Sequence, residues 1–274
     1  MEGSNSKIPN FSDSFKELEL PDFLNGLELY NFPIKYGNLK SSSVLEVYRR
    51  IQSLYESICS ARFNLCNACK LNFPEYLDSC NIEQAHIWIR AQFTNNAILW
   101  YNATFDLLLQ VVWFYYELYK KIQKPLVLST SNFEKILKKC KLESIRTLAS
   151  MHKGVVDVEI LNKIEELHNN QHVPISNWAN SIKHRSSILY ADMHSCNRRN
   201  LQVYHCNPGE KLLDALKRNA NLIYDSEETS KEVLFDDVIE HLIQYHKALI
   251  KCTKDVVVKM FPEKFEDLNG SMKN

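Results

Sequence analysis

Glycine is scarce in this chain, with six in 274 residues. None occurs between Gly37 and Gly154, and only Pro74 and Pro125 interrupt that span. Residues that break helices are therefore almost missing from its first half, and long helices are the natural consequence. The same scarcity removes several chemistries. There is no phosphate-cradling glycine loop, no Gly-x-Ser-x-Gly elbow and no His-Glu-x-x-His, so nucleoside-triphosphate and metalloprotease chemistry have no visible seat. Net charge is absent too: 33 Lys and Arg balance 33 Asp and Glu. No global field recruits nucleic acid or a membrane, and any such contact must come from a local patch.

An apolar leader run is lacking between Met1 and about Leu20, which reads as a loose tail and not as a signal peptide. No repeat or Pro/Gly-rich linker divides the chain. One domain is expected over 41–262, after an N-terminal extension of 1–40 and before a tail of 263–274. A hydrophobic content of 45% is ample for its core. The eight cysteines are scattered, at 59, 66, 69, 80, 140, 196, 206 and 252. They read as reduced thiols of a cytoplasmic protein. Cys66-Asn-Ala-Cys69 has the spacing of half a zinc site, but it lies on an expected helix. Its candidate partners, His194, Cys196, His205 and Cys206, are not at ligand spacing. Neither metal nor cofactor is expected.

What the chain does contain is helical periodicity. Ser43-Val-Leu-Glu46 has the form of a capping box, followed by a 3.6-residue period to about Leu71. A second helix is expected from about Ile82 to Ile122, a third from the box Ser131-Asn-Phe-Glu134 to about Met151, and a short fourth from Asp157 to about His168. The fifth opens after His172-Val-Pro174, with proline in the first turn where it is tolerated, and runs to Tyr190. Residues 191–230 are polar and irregular. Leu201 to Cys206 alternates like a strand and Lys231 to Phe235 is its expected partner, so a small hairpin insertion is expected there. Asp236 begins a last long helix ending near Phe261.

The run Ala97 to Tyr119 is long enough to span a membrane. Asn95, Asn102, Asp106, Gln110 and Glu117 interrupt it on a single stripe, and an acid at its centre is costly in hydrocarbon. The expectation is the central helix of a soluble bundle with no membrane partner. The stripe has two fates open to it, facing water or facing the fifth helix, and the second is the expectation because buried polar groups need partners.

That fifth helix carries the candidate site. At about 100° per residue, Ile175, Trp178, Ile182 and Leu189 share one face, and Asn177, Asn180 and His184 stand on the opposite one. Lys183 and Arg185 flank them. Two amides and an imidazole between two cations suit an anion such as phosphate, and they equally suit the solvated side of an amphipathic helix. Asn102 and Asp106 are the supporting candidates, with Asp106 placed to orient His184 or to pair with Lys183 or Arg185. Downstream, residues 180–220 hold seven cations (183, 185, 198, 199, 211, 217, 218) against three acids (192, 210, 214), an excess of four. Arg198 and Arg199 belong to that candidate nucleic-acid patch.

Asn180-Ser-Ile-Lys-His184-Arg185 on a late helix of an all-α chain resembles the signature of the HEPN superfamily, especially its prokaryotic, abortive-infection-like branch. That signature is an arginine, a polar residue, three residues and a histidine. Asn180 matches the polar position and His184 the histidine, while Ala179 occupies the arginine position. The resemblance implies an antiparallel helical bundle and a homodimer whose motif helices face one cleft. The activity it implies is that of a metal-independent endoribonuclease of a stress or phage-defence response, as in toxin–antitoxin systems.

His184 would then act as general acid or base, since imidazole titrates near neutral pH. Arg185 or Lys183 would hold the phosphate, and Asn180 would position it. With alanine at 179, the charge-stabilising cation would come from Arg185, Arg146 or Arg199. The aromatic segment Trp113-Phe-Tyr-Tyr116 and Trp178 would rim the dimer interface. The alternative is a catalytically inactive HEPN-type module that binds RNA, a nucleotide or a regulatory protein partner on the same face.

Overall fold

The computed structural model describes residues 18, 20, 42–71, 73, 82–185, 188, 190 and 233–261. The described chain is all-α. Seven helices run in order: α1 (Ser42–Ala68), α2 (Ile82–Tyr115), α3 (Phe133–Lys139), α4 (Leu142–Met151), α5 (Val158–Leu167), α6 (Val173–Arg185) and α7 (Phe235–Met260). A 3-10 turn at Leu118–Lys120 follows α2, and a π turn at His168–His172 joins α5 to α6.

The side-chain pairings set the directions of these helices. At one end of the α1–α2 pair Arg90 Nε donates to the Ala68 carbonyl at 2.9 Å, and at the other Ser43 meets Tyr119 at 2.6 Å, so the pair is antiparallel. The α7 helix runs parallel to α2, with His246 beside Tyr101 and Met260 beside Tyr115 at the same sequence offset. Lys163 pairs with Asp255, and Trp178 meets His241 edge-on at 5.4 Å, so the α5–α6 rod runs antiparallel to α7. Four rods therefore surround one core, and α3–α4 cover its flank. There Phe133 stacks on Phe114, and the Arg50 guanidinium lies 5.1 Å over the Phe133 ring.

The α2 helix is the hub. Its segment Ala85–Tyr115 is long and apolar enough to cross a membrane, and 61% of its most apolar 18-residue window is buried in the bundle. Trp113, Tyr101 and Phe114 are fully buried, among the largest side chains of the core. That placement corrects one expectation. Trp113 and Phe114 are core residues and cannot rim an interface, whereas Tyr115 and Tyr116 are half-buried and Trp178 is half-buried against His241. The tryptophans that do face solvent are Trp88 and Trp100, three helical turns apart on α2.

Several local readings also change. Ser43 is not a cap: it lies inside α1 and its hydroxyl donates to Glu117 Oε1 at 2.5 Å, while Glu46 bonds Arg50 at 2.7 Å. Those contacts hold Glu117 at φ +50°, a left-handed conformation costly for a residue with a Cβ. That turn ends α2 before Ile122. Ser131 is no cap either, since Asn132 precedes α3 and gives no side-chain cap.

The single helix expected from 131 to 151 is two, broken at Cys140 and Lys141, where Lys141 is extended. A straight helix would point Ile136 and Leu142 to different faces, and the break turns both inward. Asp157 does cap α5, accepting from the Glu159 amide at 2.8 Å.

Phe235 opens α7 and is not a strand residue; the only pairing described near it is an isolated parallel bridge between Tyr190 and Val233. The expected strand 201–206 and the rest of the 191–230 insertion lie outside the described residues. Leu18, within the stretch expected to be a loose tail, is fully buried, and its carbonyl accepts from Arg62 Nε.

Core truncation should be far more costly than surface truncation. Ile51→Ala, at a fully buried site, should lower unfolding free energy by roughly 2–5 kcal/mol. Val158→Ala, at a position 68% exposed, should stay within about 0.5 kcal/mol. Urea midpoints at constant slope measure both, and equal losses would mean that α1 is not the wall of this core.

Candidate functional site

The α6 helix does not begin at a fresh cap. Its backbone continues from α5 through the π turn, where the Val173 amide donates five residues back to the His168 carbonyl. Pro174, with no N–H and a ring that crowds the preceding turn, gives the physical reason for that widening. The turn leaves the Gln171 carbonyl accepting from His241 Nε2 at 2.8 Å. One rod thus carries both the π turn and the motif.

On α6, Ile175 and Ala179 are fully buried, Trp178 and Ile182 are half-buried, and Asn177, Asn180, Lys183 and His184 are exposed. The amphipathic division read from the sequence is therefore present. Asn177, Asn180, Lys183 and His184 share the open side, and His184 has no hydrogen-bond partner among the described residues. Ala179 points the other way, into the core. The backbone of Arg185 closes α6, and its side chain lies outside the described residues, as do Arg198 and Arg199. Arg146, offered as an alternative cation, is occupied: its Nε bonds Glu165 Oε1 at 2.6 Å.

The polar stripe of α2 has several fates instead of one. Asn95 is buried and accepts from the Tyr190 hydroxyl at 3.0 Å. Asn102 is half-buried. Asp106 is open to water but close enough to other chain for desolvation to raise its carboxyl pKa, while the nearby Lys183 ammonium pulls it back down. Among the described side chains expected to partner Asp106, Lys183 is within electrostatic reach. Gln110 Oε1 is buried without a hydrogen-bond partner.

Below the motif lies a buried aromatic seam that the sequence did not announce. Tyr101 is hydrogen-bonded to His246 Nδ1 at 2.9 Å, and Tyr245 lies 3.3 Å from His172 Nδ1. His172 stacks on Phe105 with ring centres 4.0 Å apart. Burial, with His168 adding repulsion, pushes His172 down to about 3, so it is a neutral ring at physiological pH. Burial pushes Tyr101 and Tyr245 up, which keeps both as hydroxyls. This seam holds three rods together, and burial keeps Tyr101, Tyr245 and His172 uncharged.

Cys66 and Cys69 are buried free thiols, and burial raises Cys66 to about 12. No group of three or more His, Cys, Asp or Glu among the described residues is placed to hold a metal ion.

A larger concave feature lies elsewhere. A groove of about 900 Å³ opens between the 121–126 segment, α3 and α4, with Lys121, Lys124, Lys135 and Lys139 on its walls. Its signal was present in the sequence: residues 120–153 hold nine cations against Glu134 and Glu143, a denser excess than that of 180–220. Against protein-family models, curated proteins and solved structures, the chain matches none.

His172 gives a pH test of the seam. Its folded pKa is below its unfolded one, so as pH falls the unfolded chain takes up the proton first. Its contribution to stability is whole above about 6.5 and is lost toward about 3, at on the order of 1 kcal/mol per pH unit. His172→Phe, which keeps a ring on Phe105, should flatten that part of the stability curve in acid denaturation. Parallel curves for variant and parent would show that His172 is not the group being protonated.

Proposed function

We propose that this chain is an HEPN-like RNA-handling protein that holds RNA or a nucleotide on the Asn177, Asn180, Lys183 and His184 face of α6 without cleaving it. One observation carries the reading. Ala179, at the position of the family arginine, is fully buried, while His184 is exposed. An arginine there would enter the core, so this position cannot set a cation beside the imidazole. Metal-independent cleavage needs both a proton-transfer group and a pre-placed charge for the developing phosphorane. Binding needs only the exposed amides, the ammonium and the ring, and these suit a phosphate and its sugar.

A second reading, a metal-independent endoribonuclease acting as a homodimer, draws support from the same exposed ring. His184 and Lys183 have no hydrogen-bond partner among the described residues, and the missing cation would come from Arg185 or Arg199, whose side chains lie outside the described residues, or from a second copy of the chain.

Fluorescence anisotropy with a labelled RNA, and a cleavage assay in chelator, separate the two. Binding without cleavage is expected. His184→Ala should change the melting midpoint by less than about 0.5 kcal/mol in equivalent stability, because the ring is exposed. Lys183→Glu should weaken RNA binding roughly five- to tenfold. Cleavage that disappears in His184→Ala would establish the nuclease instead, and absence of any RNA affinity would end both readings.

A further inference from the structure

The groove beside α3 and α4 is far from neutral. Lys121, Lys124, Lys135 and Lys139 line it, all exposed, and Glu143 is its only acid. None of the four lysines has an ion-pair partner among the described residues. Two neighbouring cations are already engaged, Lys120 with Glu117 at 2.6 Å and Arg146 with Glu165 at 2.6 Å. The chain thus concentrates four ammoniums around one concavity and leaves them uncompensated, although its overall charge is zero. Like charges held together repel, and an anion bound among them removes that repulsion.

The floor is of another kind. Ile122 and Leu126 pack on the core, Leu148 is 6% exposed, and Met151 is 63% exposed at the edge. Ser144 and Thr147 add neutral hydroxyls. The segment carrying Leu126 is fixed, because its amide donates to the Tyr119 carbonyl at 3.0 Å. The first turn of α4, which contributes Glu143 and Ser144, has no side-chain cap, so its amides add positive potential on the same side.

The lining selects among anions. Carboxylates are best held by the planar fork of arginine, whereas lysine acts as a point charge suited to phosphate. All four cations here are lysines. Single-stranded nucleic acid usually stacks successive bases on several aromatic rings, and the lining has aliphatic and thioether groups, no Phe, Tyr or Trp, and a single imidazole, His152. The volume of about 900 Å³ is that of a small-molecule site, and a surplus of three positive charges matches two or three phosphates.

We propose that this groove is a binding site for a small organic polyphosphate, an apolar body bearing two or more phosphate groups. The site is separate from the α6 face, and its existence does not depend on the RNA reading.

Isothermal titration of the full chain with ATP as probe tests it, with inorganic tripolyphosphate and a short oligouridylate as comparisons. At the groove ATP should bind one-to-one and more tightly than tripolyphosphate, which has no organic body to lie on the aliphatic floor. The double variant Lys135→Glu with Lys139→Glu should weaken ATP by about tenfold or more. Both positions are exposed, and if that protein fails to fold, Lys121→Glu with Lys124→Glu carries the same test. Met151→Gln should weaken ATP while leaving tripolyphosphate unchanged. Lys254→Glu, elsewhere on the surface, should leave ATP binding as it is. Four results would each overturn the proposal: no ATP binding, equal affinity in the lysine double variant, tripolyphosphate as tight as ATP, or oligouridylate bound more tightly than ATP and lost in the double variant.

Discussion

A 34-residue helix that is apolar on most of its faces must be covered on most of its faces, and the rest of the structure follows from that constraint. Exposed alone, α2 would set Tyr101, Leu108, Val112, Trp113 and Phe114 in water. With α1 antiparallel on one side, α7 parallel on another and the α5–α6 rod closing the gap, all five are fully buried. Each buried large side chain contributes roughly 1.5–3 kcal/mol of transfer free energy, so covering α2 is a large favourable term in folding. The polar residues of α2 are placed around this demand. Asn95 is buried only because Tyr190 supplies a hydrogen bond, while Asp106 is left where water and Lys183 can reach it.

The same constraint explains why the candidate functional features lie on the rim of the bundle. The interior is occupied by Tyr101, Tyr245, His172 and His246, with hydrogen bonds linking Tyr101 to His246 and Tyr245 to His172, and burial suppresses the ionisation of Tyr101, Tyr245 and His172. Such a network gives specificity of packing. Reactive or charged groups are left to the edges, namely the open side of α6 and the lysine groove of α3 and α4. These two surfaces differ in kind. The first offers amides, an ammonium and an imidazole on one helix face. The second offers four ammoniums over an aliphatic floor.

The junction between α5 and α6 shows how one residue redirects a local reading. Pro174 after a polar run has the form of a helix start, and in isolation that inference is sound. In the folded chain, packing along α7 keeps the rod continuous, with Lys163 on Asp255, Gln171 on His241 and Trp178 on His241 in succession. The proline is accommodated by widening one turn instead of ending the helix. Glu117 is the converse case: no glycine marks the end of α2, yet contacts from Ser43 and Lys120 hold a left-handed turn there.

Periodicity alone determined that the chain is all-α, that α2 is its central helix, and that Ile175 and Ile182 lie opposite Asn180 and His184. These are consequences of a 3.6-residue repeat and of the near absence of glycine, both local properties. The excess of lysine between 120 and 153 was equally legible, but its meaning was not. Only the break at Cys140 and Lys141 folds α3 against α4 and gathers Lys121, Lys124, Lys135 and Lys139 around one groove. Likewise, nothing in the spacing of Trp113, Trp178, Trp88 and Trp100 says which are core and which are surface. The reason is physical: a side chain's direction along one helix follows from its sequence position, but what stands opposite it depends on contacts between residues distant in the chain.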